Sequence, residues 1–144
     1  GAIFAQAGLE RMGLLKTNYS VLDWMLPAPA QGIIGIASLK ENSTLSKVIQ
    51  ELNCKETALC AEVERTFLNT LEGGCTAPIG AYAFIKEQKL HFQGGLFSLD
   101  GKKAIEYQIE TSLEQGPAIG KEAALHILEN GGAQLMQQIK SQLK

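Results

Sequence analysis

The sequence predicts an α+β domain over residues 41–144, a three-stranded antiparallel sheet with helices before and after it. Three observations carry that expectation. Apolar residues recur at helical spacing in two blocks ahead of residue 71 and in two more beyond residue 116. Between them lie three runs that read as strands, 79–85, 90–99 and 103–109. The junctions Glu87-Gln88 and Asp100-Gly101 are too short for a crossover, so neighbouring strands must run antiparallel.

Taken in order, Ile3, Phe4, Ala7 and Leu9 fall toward one side of a helix expected over residues 2–12, which Gly13 stops. Pro27 and Pro29 mark an extended crossing segment within residues 14–31. Ile33-Ile34-Gly35-Ile36-Ala37 is apolar on both faces and reads as a buried strand. Ser43 or Thr44 caps the next helix, whose Leu45, Val48, Ile49 and Leu52 share a face, and Asn53 ends it. A longer helix runs from about Glu56 to Thr70 with Leu59, Val63 and Phe67 four apart. After the strands, where Asp100-Gly101 signals a tight hairpin turn, Pro117 opens a helix that Gly131-Gly132 terminates. Leu135, Met136, Ile139 and Leu143 define a last helix.

The chain is organised around Leu71-Glu72-Gly73-Gly74-Cys75-Thr76-Ala77-Pro78-Ile79-Gly80. Adjacent glycines open backbone conformations closed to other residues and remove bulk beside the thiol. Pro78 prevents the helix from continuing. The expected result is a sulfur displayed on a tight loop between a helix and a strand, with room for a bulky substituent. From the residues alone, a reactive or modified Cys75 and a small buried hydrophobe stand about level.

Composition excludes several classes. A net charge of −2 over 144 residues gives no electrostatic case for nucleic acid. The longest apolar run, around Ile33 to Ala37, is too short to span a bilayer, and a basic start with an apolar core is absent; a cytoplasmic location is the default expectation. Three cysteines without a closely spaced pair argue against a disulfide framework and a zinc site, so no metal is expected. The chain opens at Gly1 without methionine inside an apolar pattern, and it reads as cut from a longer one.

The Cys75 segment also resembles the cofactor-attachment loop of the porphobilinogen deaminase (hydroxymethylbilane synthase) family. The match continues through Asn53, Glu56-Thr57-Ala58-Leu59 and Glu64-Arg65, to Leu26-Pro27-Ala28, Gln31-Gly32 and Ala7-Gly8-Leu9-Glu10-Arg11-Met12-Gly13, in the family's order and spacing. The resemblance implies a C-terminal portion of the enzyme. Residues 1–40 would be the end of the family's domain two plus a strand crossing domain one, and residues 41–144 the C-terminal cofactor-attachment domain. It implies that Cys75 tethers a dipyrromethane cofactor by a thioether, on which porphobilinogen is polymerised into hydroxymethylbilane. Arg11 would then contact carboxylates of the cofactor or substrate through its planar guanidinium fork, and Gly8 would permit close backbone approach. Gln31 would sit at an interdomain hinge, and Arg65 would link domains. Leu39 stands where the family commonly has an arginine, with Lys40 following.

The family's catalytic aspartate falls outside these residues, so no catalytic group is expected in this chain, and the chain alone is expected to be inactive. Its expected partners are porphobilinogen, pyrrole-chain intermediates and the missing N-terminal domains, with self-association through residues 1–40 where those domains are absent. A different reading keeps the fold as a non-catalytic binding module. A weaker one makes Cys75 a hydrolase nucleophile, which needs a histidine beside it, and neither His91 nor His126 lies in a partner motif. Both histidines read as surface or packed residues. Cys54 and Cys60 read as structural, and Glu62, Glu110 and Glu114 as solvated charges.

Overall fold

The structure is a computed structural model that describes residues 1–15, 18–72 and 77–143. Its elements are α1 (Gln6–Arg11), α2 (Ser43–Glu51), α3 (Lys55–Thr70), β1 (Ile79–Lys86), β2 (Lys89–Phe97), β3 (Ala104–Ser112), α4 (Gly116–Ile127) and α5 (Ala133–Gln142). A five-residue π-type turn, Leu128–Gly132, joins the last two helices. The sheet has the order β1-β2-β3 and both pairings are antiparallel, as the short junctions require.

The pleat sends alternate residues to one face, where the helices cover them. Ala81 and Ala83 of β1 and Leu90, Phe92 and Leu96 of β2 are buried there. Val63 and Phe67 of α3 and Ile119, Ala123 and Ile127 of α4 complete the core from above. Phe67 and Phe92 meet edge to face, with ring centroids 5.2 Å apart. Gly94 leaves the space that the Phe67 ring fills, since a Cβ there would lie 2.7 Å from its Cζ. At Gly120 an added Cβ would lie 2.2 Å from the carbonyl oxygen of Val63, so α4 approaches α3 to backbone distance.

The two hairpins close differently. Glu87 and Gln88 both take left-handed backbone, φ 54° and 60°, the two-residue turn that matches strand twist. Asp100-Gly101 does not form such a turn. Ser98 N–H donates to the Lys103 carbonyl at 2.9 Å, which leaves 99–102 as a four-residue loop. Asp100 organises that loop by accepting from Ser98 Oγ at 2.6 Å and from the Lys102 N–H at 3.2 Å, and Gly101 takes φ 69°. The strand expected over 90–99 therefore stops at Phe97, and β3 continues to Ser112. Gly131, at φ 100°, breaks the helical path between α4 and α5 where expected.

The first 52 residues depart further from expectation. The helix expected over 2–12 is realised only as Gln6–Arg11, because Ala5 at its start offers no side-chain acceptor; Gly13 at φ 66° ends it as anticipated. Asn42, not Ser43 or Thr44, caps α2, its Oδ1 accepting from the Leu45 N–H at 3.0 Å. Residues 33–37 form no strand, and Ile34 is 87% exposed. A strand exists only as a pairing, and the nearest sheet edge, that of β1, is occupied by other groups described below.

Two substitutions test this packing. Phe67→Ala should lower stability by about 3–5 kcal/mol through lost transfer energy and a cavity against Phe92. Gly120→Ala should cost about 1–3 kcal/mol by forcing α3 and α4 apart. Urea unfolding followed by circular dichroism measures both.

Candidate functional site

The stripe that α3 presents to the core runs Cys60, Val63, Glu64, Phe67, at the i, i+3, i+4, i+7 positions where apolar residues are required. Glu64 is the one charge among them and is only 5% exposed. Its Oε1 accepts the Ala83 N–H at 2.7 Å and its Oε2 accepts the Ala30 N–H at 2.6 Å. In the β1–β2 register the Ala81 and Ala83 N–H groups point away from β2, toward an edge with no neighbouring strand. The Pro27 carbonyl accepts the first at 2.9 Å and Glu64 accepts the second. A carbonyl and a carboxylate thus take the place of a fourth strand there.

The same carboxylate holds the bend at 30–32. Ala30 has φ 59° and Gly32 φ 83°, and the Gln31 N–H donates to the Ala28 carbonyl at 3.1 Å. Among the described residues no basic side chain pairs with Glu64. Burial pushes its carboxyl above the ordinary glutamate range, while the N–H groups of Ala30 and Ala83 pull it partly back. Glu64, together with the Pro27 carbonyl, therefore ties the crossing segment to the body of the fold. Arg65, the sequence-based choice for a linking role, is exposed and in no ion pair among the described residues. The signal was present in the sequence as a carboxylate inside an apolar helical stripe.

Residues 73–76, Cys75 among them, lie outside the described residues. The two ends of this stretch are anchored. Leu71, buried at the end of α3, donates its N–H to the Phe67 carbonyl at 3.1 Å, and Glu72 donates to Asn69 O at 3.0 Å with φ 53°. On the other side the Pro78 carbonyl accepts the Phe97 N–H at 2.9 Å and Ile79 is buried. Lys140 of α5 forms an ion pair with Glu72 at 2.8 Å, and this cation holds the Glu72 carboxyl below the usual range.

Gly8 and Arg11 lie one turn apart on α1, on neighbouring positions of the helix surface. Arg11 is exposed and takes part in none of the ion pairs among the described residues. A Cβ on Gly8 would meet nothing within 4 Å, so no contact among the described residues demands glycine there. Beside α1 lies an apolar hollow of about 750 Å³, walled by Ile3, Phe4, Leu9, Leu22 and Met25 among others.

Cys60 is buried as expected, its thiol pushed up by desolvation and then by Glu64. Cys54 departs from the expectation of a packed residue. It is exposed at the start of α3, where a hydrogen bond from the Thr57 side chain pulls its thiol down. His91 stacks flat on Phe84 at 4.8 Å and His126 lies 4.7 Å from the Tyr107 ring. Glu110 pairs with Lys89, and Glu62 and Glu114 are exposed. No group of three metal-ligating side chains converges among the described residues, and no described helix is long and apolar enough to cross a membrane.

Removing the carboxylate should be costly. Glu64→Ala orphans two backbone N–H groups, at about 1–3 kcal/mol for each that stays buried. Because the folded-state carboxyl lies above its unfolded value, the stability it contributes is full below the ordinary glutamate range and lost as pH rises through the raised value. Relative to Glu64→Gln, the unaltered protein should therefore lose ground as pH rises from the ordinary glutamate range through the raised value, read from urea midpoints at each pH. An unchanged difference would contradict the assignment.

Comparison with known proteins bears on all these elements. Residues 58–129, from within α3 through α4, match the family model described as porphobilinogen deaminase, C-terminal domain. Residues 1–47 match the model described as porphobilinogen deaminase, dipyromethane cofactor binding domain. Among curated relatives, the porphobilinogen deaminase of Carboxydothermus hydrogenoformans is 35% identical over 97% of this chain and 46% of its own length. Those of Alkaliphilus metalliredigens and Staphylococcus aureus are 32% and 33% identical, over 98% and 97% of this chain and 45% and 46% of theirs. The chain spans just under half the length of these relatives. With one match taking in the described core of sheet and helices and the other the segment pinned to it by Glu64, the chain belongs to the porphobilinogen deaminase family.

Proposed function

We propose that this chain is the part of a hydroxymethylbilane synthase that carries the cofactor tether, in a cytoplasmic transferase that polymerises porphobilinogen, with deamination, into hydroxymethylbilane. The observation that carries the reading is the pair of family matches, one of which spans Cys75 within its glycine-bracketed stretch. Cys75 is the attachment residue in this proposal. A dipyrromethane bound there supplies the end on which the pyrrole chain grows, and a covalent tether keeps intermediates bound through successive additions.

The described residues fit such a group in two respects. The residues that flank the stretch 73–76, Leu71–Glu72 on one side and Pro78–Ile79 on the other, are anchored to the core and to β2. Arg11 offers an exposed guanidinium, and the space around Gly8 is open. Arg11 pairs with a carboxylate of the cofactor or substrate as a planar fork, and Gly8 lets that group approach the α1 backbone. Neither role calls for proton transfer by this chain. The groups that activate porphobilinogen lie in the remainder of a relative-length polypeptide, which is the expected partner, and self-association through residues 1–40 follows where it is absent.

The chain alone should therefore give no product and no adduct on incubation with porphobilinogen, followed by absorbance and intact mass. With the N-terminal half of a relative supplied, an adduct of dipyrromethane size should form, be absent from Cys75→Ser, and form about tenfold more slowly in Arg11→Leu. Turnover by the chain alone, or an adduct that survives Cys75→Ser, would overturn the assignment.

A further inference from the structure

We propose that Glu64 is a proton-sensitive latch for the crossing segment: residues 26–30 dock on β1 with a proton on this carboxyl and come loose as it ionises. The latch is independent of the role given to Cys75. Among the described residues, two hydrogen bonds join residues 1–40 to residues 54–144, from the Ala81 N–H to the Pro27 carbonyl and from the Ala30 N–H to Glu64 Oε2. Neither α1 nor α2 contributes a buried residue. The seat at 26–30 is where that part of the chain is held.

This seat is closely fitted and strained. A Cβ on Gly80 would lie 2.7 Å from Leu26 Cβ, so the segment reaches the β1 backbone. Ala30 then takes φ 59°, a left-handed conformation disfavoured for a residue with a Cβ. Its N–H is the one that Glu64 accepts, at 2.6 Å, so the carboxyl holds the chain in a bend that a freed backbone would leave. The other carboxyl oxygen is fixed by the Ala83 N–H at 2.7 Å and cannot follow the segment. Release therefore breaks the Ala30 bond and opens Glu64 to the cleft beside it, about 290 Å³ walled by Pro27, Gln31, Ile33 and Ala83 among others.

Charge decides between the two positions. Docked, Glu64 is buried and forms no ion pair among the described residues. The titratable groups that share its cleft are Glu56 and Cys60 on α3 and Tyr82 on β1, and residues 26–33 bring none. An ionised carboxyl there has lost its water for two N–H dipoles, whereas a protonated one keeps acceptor capacity for both and has no charge to desolvate. Released, the group is hydrated and ionises in the ordinary glutamate range. Burial holds the docked carboxyl above that range, so docking is firmest below it and weakens as pH rises through the raised value.

Native-state hydrogen exchange of the whole chain, read by NMR as protection factors over pH and low urea, reports the bonds one by one. The Ala30 and Ala81 N–H groups should be less protected than those of Ala123 and Ala124, buried in α4, and should show little urea dependence, because undocking exposes little surface. Their protection should fall as pH rises from the ordinary glutamate range through the raised value. Glu64→Gln should lose that fall and Glu56→Gln should keep it. Ala30→Gly, which relieves the left-handed strain and leaves the carboxyl in place, should raise Ala81 protection about two- to fivefold at every pH. The latch is refuted if the fall persists in Glu64→Gln, if Ala30 and Ala81 share the urea dependence of α4, or if Ala30→Gly leaves Ala81 protection unchanged. Should Glu64→Gln not fold, the unaltered, Glu56→Gln and Ala30→Gly profiles decide the matter on the same criteria.

Discussion

A single buried carboxylate connects the parts of this chain. Glu64 rises from α3 into the space beside the β1 edge and accepts one N–H from that strand and one from the crossing segment. The sheet edge, the long helix and the bend at 30–32 are each held at one of its atoms. The arrangement opposes its own electrostatics, since two N–H dipoles compensate a desolvated charge only in part. What makes it tenable is that the alternative leaves donors unpaired in the same place.

The rest of the fold follows from how closely α3 must come to its neighbours for Glu64 to reach β1. Gly120 lets α4 touch the α3 backbone and Gly94 makes room for Phe67 over β2. Both glycines have negative φ, so they are there for proximity and not for conformation. In sequence, the family motif around Cys75 lies between a helix end and a strand start that this packing has already fixed.

Much of this was legible in the sequence, for physical reasons that differ by segment. Residues 55–143 have strong periods because each element buries one face within the same unit, and the helices and strands fell where the periods put them. Local chemistry was less legible. Asp100-Gly101 matched a two-residue turn, but Ser98 Oγ and the Asp100 carboxylate favour a wider loop. Cys54 was read as structural, yet it stands at the start of α3, ahead of the face that the helix buries, and is exposed. Residues 33–37 read as a strand from composition, yet strand formation depends on a partner that composition cannot supply. At the candidate site, Gly8 and Arg11 were named through the family resemblance, whereas Glu64 was passed over as one half of a charged dipeptide. Cys75 rests on the motif alone.

The occupied edge of β1 has a meaning for the protein's behaviour in a crowded solution. A three-stranded sheet has two borders, and an open border is a template on which another chain can add a strand. Here the first half of one border is closed by a proline carbonyl and a side chain, neither of which can propagate a ladder. The opposite border, β3, presents Glu106 on its exposed side, and the like charge on a second copy discourages it from lying alongside. A sheet this small is thereby kept from growing by the groups that hold its first strand in place.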